Sequence, residues 1–290
     1  MFSLLVSLAA LGPAQPQTHD QQNPLFKELL DGGLDVGMNM KAKFPAPTMP
    51  DGLKAADQTT VIKKLIADDY SYERFTDKSQ VAPQMLKLRD VSPSDPKAPT
   101  RGVDIWFVAY GDFALTDDDK FLDRLLKAGR ESDKGKALTA NDLGKRKIEV
   151  PGKGKHEGYG LIEFDLFDKV RIKATGRAVW SKTGDSALVA AVLDARFMND
   201  PEFPNEWRSL TKAGGAITVG QANPWSGAGL FVKITKLAEP AGALFIEQHI
   251  IFVEPTGWFD GANLLRSKLP HVVQDNVRKM RLEWAKASAK

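Results

Sequence analysis

Glu247 and His249 are the residues of this chain whose types and spacing best suit chemistry. They lie inside Leu244–Glu254, a run so rich in Leu, Ile, Val and Phe that it reads as a sheet strand. A spacing of two puts both side chains on one face of that strand. A carboxylate beside an imidazole can orient the ring and hold its charged form. The pair fits three roles: an internal polar pair, recognition of a ligand, or general acid–base work in a hydrolase or isomerase. No nucleophile accompanies it. Ser226 follows Pro224 and Trp225, so the G-x-S-x-G elbow is not formed.

Aromatic residues form a second constellation. Trp106 and Tyr110 share one parity of the run Val103–Phe113, and Trp258 stands where the last strand gives way to helix. Gathered around one apolar pocket with Glu247 and His249, they would offer rings and sparse polar groups to a small apolar or amphipathic molecule. Each also fits ordinary core packing.

Other chemistries find less support. The chain has no cysteine, which excludes disulfides, thiolate catalysis and cysteine-ligated metal. Its four histidines, His19, His156, His249 and His271, form no HExxH cluster, and no metal site is expected. Asp117, Asp118 and Asp119 follow Thr116, where favourable charge at a helix start explains them without a calcium loop. The run 144–155 is basic and glycine-rich but lacks phosphate-loop spacing. It reads as a solvated hairpin or loop, with contact to an anionic surface as the functional alternative. No cofactor motif is found and no cofactor is expected. A net charge of +3 over 290 residues is too small an excess to propose nucleic-acid binding.

The elements that must position these residues can be read in order. Met1–Leu11 is apolar and ends at Gly12-Pro13-Ala14, a pattern that predicts a signal peptide over 1–14 and export to a periplasmic or extracellular location, although no basic residue precedes the apolar core. The run is shorter than the ~20 apolar residues of a bilayer span, so no stable transmembrane segment is expected. Residues 15–33 read as an N-terminal extension with a short helix from Pro24, and 34–290 as a single domain. Leu34–Phe44 alternates loosely as a strand, and Thr59–Asp69 has helical spacing. Val103–Phe113 is apolar on both parities, hence central. A helix is expected after Thr116. Leu161–Ile172 is sheet interrupted at Asp168-Lys169, Ala178–Ser181 pairs with Ala187–Phe197, and Leu230–Leu237 pairs with Leu244–Glu254. Leu265, Leu269, Val273, Val277, Met280 and Trp284 recur at three or four residues, one apolar stripe of a long helix that Pro270 either kinks or begins. The fold class is therefore α+β: a curved, largely antiparallel sheet packed against a long C-terminal helix.

This order, several antiparallel strands, a final hairpin at Leu230–Glu254 and a long helix within Trp258–Trp284, resembles the helix-grip architecture of START-like proteins. The resemblance is one of topology over about residues 100–286, and the basic run and N-terminal region depart from a minimal version of that fold. It implies a hydrophobic cavity between sheet and helix and transfers no site residue. The expected function is an exported binding protein for a small apolar or amphipathic ligand. The alternatives are a hydrolase or isomerase using Glu247 and His249, and an interaction module using the basic loop.

Overall fold

The final hairpin forms as its composition requires. Strands at Ala228–Lys236 and Ala243–Val253 pair antiparallel, with Phe231 opposite His249 and Lys233 opposite Glu247. The computed structural model describes residues 18–95, 97–118, 121, 135–151, 156–259 and 263–289. The expected signal peptide, Asp119, most of the helix expected after Thr116, and 152–155 of the basic run lie outside the described residues.

In chain order the strands are β1 (Leu34–Asp35), β2 (Lys41–Ala42), β3 (Gln84–Asp90), β4 (Thr100–Tyr110), β5 (Lys136–Ala137), β6 (Glu157–Leu166), β7 (Val170–Lys182), β8 (Ser186–Leu193), β9 (Glu206–Ala213), β10 (Ala216–Val219), β11 (Asn223–Pro224), β12 (Ala228–Lys236) and β13 (Ala243–Val253). Among the described residues β3 to β13 make one sheet, all of its pairings antiparallel, with the path β10-β9-β7-β8-β12-β13-β4-β3. β6 adds along β7, β5 along β6, and β11 along β9. The β6–β7 turn falls at the expected place, with Phe167 and Asp168 at positive φ. The strand expected over Leu34–Phe44 is instead the small β1–β2 hairpin. Gly37, Met38 and Asn39 all take positive φ there, which turns the chain back on itself and leaves Met38 exposed.

Alternation then assigns the two faces. On one face Phe107, Ile105, Leu244, Ile246 and Ile234 join Val273, Val277, Met280 and Trp284 of the C-terminal helix, Leu264–Ser288, in a single core. The opposite face is covered by the N-terminal third of the chain. Helices α1 (His19–Gln22) and α2 (Pro24–Asp31) pack Phe26 edge-on against Phe231, and α3 (Ala55–Ile66) with α4 (Tyr72–Phe75) bury Ile62, Ile66 and Phe75 beside Trp106 and Phe245. β4, β12 and β13 are thus covered on both sides, which explains their nearly continuous apolar sequences. No helix among the described residues is long and apolar enough to cross a membrane.

The C-terminal helix grips the sheet through a polar anchor as well. Arg281 is buried, its guanidinium donating to the carbonyls of Val108, Ala82 and Pro83 at 2.6–3.0 Å. Burial draws its pKa down to about 10. Upstream the helix runs straight through Pro270, which cannot donate to the Arg266 carbonyl. Replacing Pro270 by Ala restores that donor and is expected to raise stability by about 1–3 kcal/mol in urea unfolding. An unchanged or lowered midpoint would show that the proline is accommodated without cost.

Candidate functional site

Two rows of side chains cross the sheet on the face covered by the N-terminal third. Register places Met85, Trp106, Glu247, Lys233, Leu188 and Ser181 in one row. The next holds Lys87, Asp104, His249, Phe231, Ala190 and Val179. Glu247 and His249 share a face as their spacing requires, and His249 Nε2 lies 3.1 Å from Glu247 Oε2. The other ring nitrogen, Nδ1, is 2.8 Å from Asp104 Oδ1. Arg89 lies across the sheet and donates through Nε to Asp104 at 2.7 Å. It passes directly over Gly102, where a Cβ would meet the guanidinium carbon at 2.7 Å.

The row continues into the N-terminal segment. Glu247 accepts backbone hydrogen bonds from Thr48 (2.6 Å) and Met49 (3.3 Å). Lys233 donates to the Met49 carbonyl at 2.6 Å and pairs with Asp51 at 2.7 Å. Ser186 donates its hydroxyl proton to Asp51 at 2.6 Å, so His19 Nε2, 2.7 Å away, donates to Ser186. His19 Nδ1 then accepts from Ser181 at 2.8 Å. The result is a buried chain, Arg89–Asp104–His249–Glu247–Lys233–Asp51–Ser186–His19, that fastens residues 19–51 to the sheet.

The two histidines are set in opposite states. Burial penalises a charged His249, but hydrogen bonds to Asp104 and Glu247 outweigh it and raise the pKa above 6.5. With both ring nitrogens facing carboxylates, the imidazolium is the form that satisfies the site. His19 is dominated by burial, only partly offset by Asp51, and its pKa falls to about 4. Burial opposes ionisation of Asp104 and Asp51 too, yet His249 and Arg89 for the first, and Lys233 and Ser186 for the second, hold both below the usual carboxylate value.

The five residues singled out from sequence are not brought to one cavity. Trp106 donates its indole N–H to Thr48 at 2.8 Å and stands edge-on to His249. Tyr110 donates to the Thr76 carbonyl. Both therefore join Glu247 and His249 beneath the N-terminal segment, where Glu247 and His249 are shut off from solvent. Trp258 belongs to the other face, in the core beneath the C-terminal helix. Strand parity separates them, because Trp106 and Glu247 sit opposite each other on paired strands while Trp258 follows the end of β13.

Trp258 lines a cleft of about 570 Å³ between the sheet end and the start of the C-terminal helix. Leu88, Phe259 and Leu265 supply further apolar wall, and Lys97, Arg101 and Arg266 supply positive charge. Arg101 is engaged by Asp90 and by Glu254. Lys97 and Arg266 are exposed and make no ion pair among the described residues. Sequence reasoning missed this site because its charged residues lie in a loop, a strand end and a helix start far apart in the chain. Asp104 and Lys233 carried a usable signal, since a charge inside an otherwise apolar strand needs a buried partner. His19 carried none.

No protein-family profile and no curated protein matches the chain. Solved structures similar to it include the human StarD13 (DLC2) lipid transfer and protein localization domain, at 9% identity and a TM-score of 0.40, over 77% of this chain and 96% of that one. Human StAR-related lipid transfer protein 5 is similar at 8% identity and a TM-score of 0.40, over 80% and 97%. Human STARD10 is similar at 9% identity and a TM-score of 0.38, over 87% and 86%. These START-related domains are the group whose topology the final hairpin and helix resemble.

The opposed histidines give stability a two-sided pH dependence. Between about pH 4 and 6.5 the unfolded chain binds the proton that folded His19 refuses, so stability rises with pH, by on the order of 3 kcal/mol for a displacement from 6.5 to about 4. His249 acts in reverse: its contribution is full below about 6.5 and is lost as pH rises through its raised folded value. Chemical unfolding across pH should show a maximum near pH 6.5. His19→Asn should flatten the acid limb above pH 4. His249→Gln should flatten the alkaline limb and lower stability by about 3–5 kcal/mol, because two buried carboxylates lose their cation. Identical alkaline limbs in wild type and H249Q would refute the charged His249.

Proposed function

We propose that the protein binds a small amphipathic molecule in the cleft between the sheet end and the C-terminal helix. The observation that carries this reading is the pairing of an apolar wall, Trp258, Phe259, Leu265 and Leu88, with Lys97 and Arg266 on the same cleft. Binding sites for small molecules are concave, mostly apolar and oriented by a few polar groups, with volumes of roughly 300–1,000 Å³. A volume of about 570 Å³ accommodates a molecule of that kind. The acid–base alternative lacks comparable support, since Glu247 and His249 are enclosed and each is already committed to other groups of the protein.

Export is part of the proposal and rests on the apolar run ending at Ala14. Sequencing the N-terminus of protein recovered from its own cells should find Gln15 first. A mature chain still beginning at Met1 would refute it.

Native mass spectrometry of the same material, followed by organic extraction, tests the binding reading. A stoichiometric amphipathic molecule is expected, with occupancy sharply reduced in Trp258→Ala. A bare protein that also takes up no amphiphile when incubated with a mixed extract of its cells would overturn it.

A further inference from the structure

The C-terminal helix begins inside the wall of this cleft, to which Asn263, Leu265 and Arg266 contribute. The first N–H groups of a helix have no acceptor within it, and the aligned peptide dipoles add partial positive charge there. At this helix Asn263 holds the N-cap position, yet its side chain makes no capping hydrogen bond. The first turn has no acidic residue, and Arg266 adds a full positive charge to it.

A second observation is independent of the helix. Trp258, only 3% exposed, lines the same cleft, and its indole N–H has no acceptor. Buried donors in native proteins nearly always have one, so an orphan in a cleft wall marks a place for an acceptor. The fixed charges agree. Asp90 and Glu254 are both held on Arg101, while Lys97 and Arg266 have no carboxylate partner among the described residues.

We infer that the start of the C-terminal helix is an anion site, which takes the carboxylate or phosphate group of a ligand between the helix N–H groups, Arg266, Lys97 and the Trp258 indole N–H. The inference rests on the reading that the cleft receives an amphipathic molecule, and it assigns that molecule's polar end. The apolar part then lies along Phe259, Leu265 and Leu88.

Isothermal titration of the full chain with three probes separates the possibilities: decanoate, 1-decanol and inorganic phosphate. Decanoate should bind at least about tenfold more tightly than decanol, because charge-assisted hydrogen bonds exceed neutral ones. Arg266→Glu, at an exposed side chain, should cut decanoate affinity by about tenfold or more, leave decanol binding and Tm unchanged, and Arg266→Lys should retain most of the affinity. Equal binding of decanoate and decanol, with no effect of R266E, would overturn the anion site and leave the cleft reading standing. Phosphate binding that R266E abolishes, without binding of either amphiphile, would support the anion site and overturn the amphipathic reading. No binding of any probe would overturn both.

Discussion

The fold depends on a buried row of alternating charge, Arg89, Asp104, His249, Glu247, Lys233 and Asp51. With His249 charged, three cations alternate with three carboxylates, and each end of the row meets a polar neighbour. Such a row is costly to desolvate and is tolerable only when every member has a partner. Its placement gives it a consequence beyond stability. Glu247 and Lys233 grip the backbone at Thr48 and Met49, so the strands can be covered by the N-terminal segment in one position only. Helices α1 to α4 follow from that attachment, with their apolar sides against Phe231, Trp106 and Phe245.

Closing one face in this way commits the other to the C-terminal helix. Trp284 fills that core against Phe121, and Arg281 ties the helix to the carbonyls of Ala82, Pro83 and Val108. The chain leaves β13 at Val253 and turns at Gly257, and its helix starts only at Leu264. The sheet end and the helix start are therefore held apart, and the interval is the cleft bearing Trp258. The polar face is sealed and the open concavity lies where the helix begins, which is the division of labour expected of a rigid scaffold with a site at its margin.

Much of this was legible in the residues. The final hairpin, the central strand at Val103–Phe113, the stripe on the last helix and the shared face of Glu247 and His249 all follow from periods of two and 3.6. Two failures have physical causes. Leu34–Phe44 alternates like a strand, but three successive positive φ angles at Gly37, Met38 and Asn39 fold it into a hairpin. Trp258 was grouped with Trp106, Tyr110, Glu247 and His249 because composition shows that residues are aromatic or polar without showing which side of a sheet receives them. Partners such as Glu247 and Thr48, 199 positions apart, are joined only by the tertiary fold. The cleft's cations, Lys97 and Arg266, lacked any pattern that would set them apart from other exposed charges.

The measurement that tests the division into a sealed face and an open cleft most directly is the indole N–H spectrum of the six tryptophans during titration with an amphiphile. The Trp258 resonance should move in proportion to occupancy, while that of Trp106, bonded to Thr48 in the sealed face, stays in place. Movement of Trp106 with Trp258 unchanged would place the ligand beneath the N-terminal segment and contradict the account.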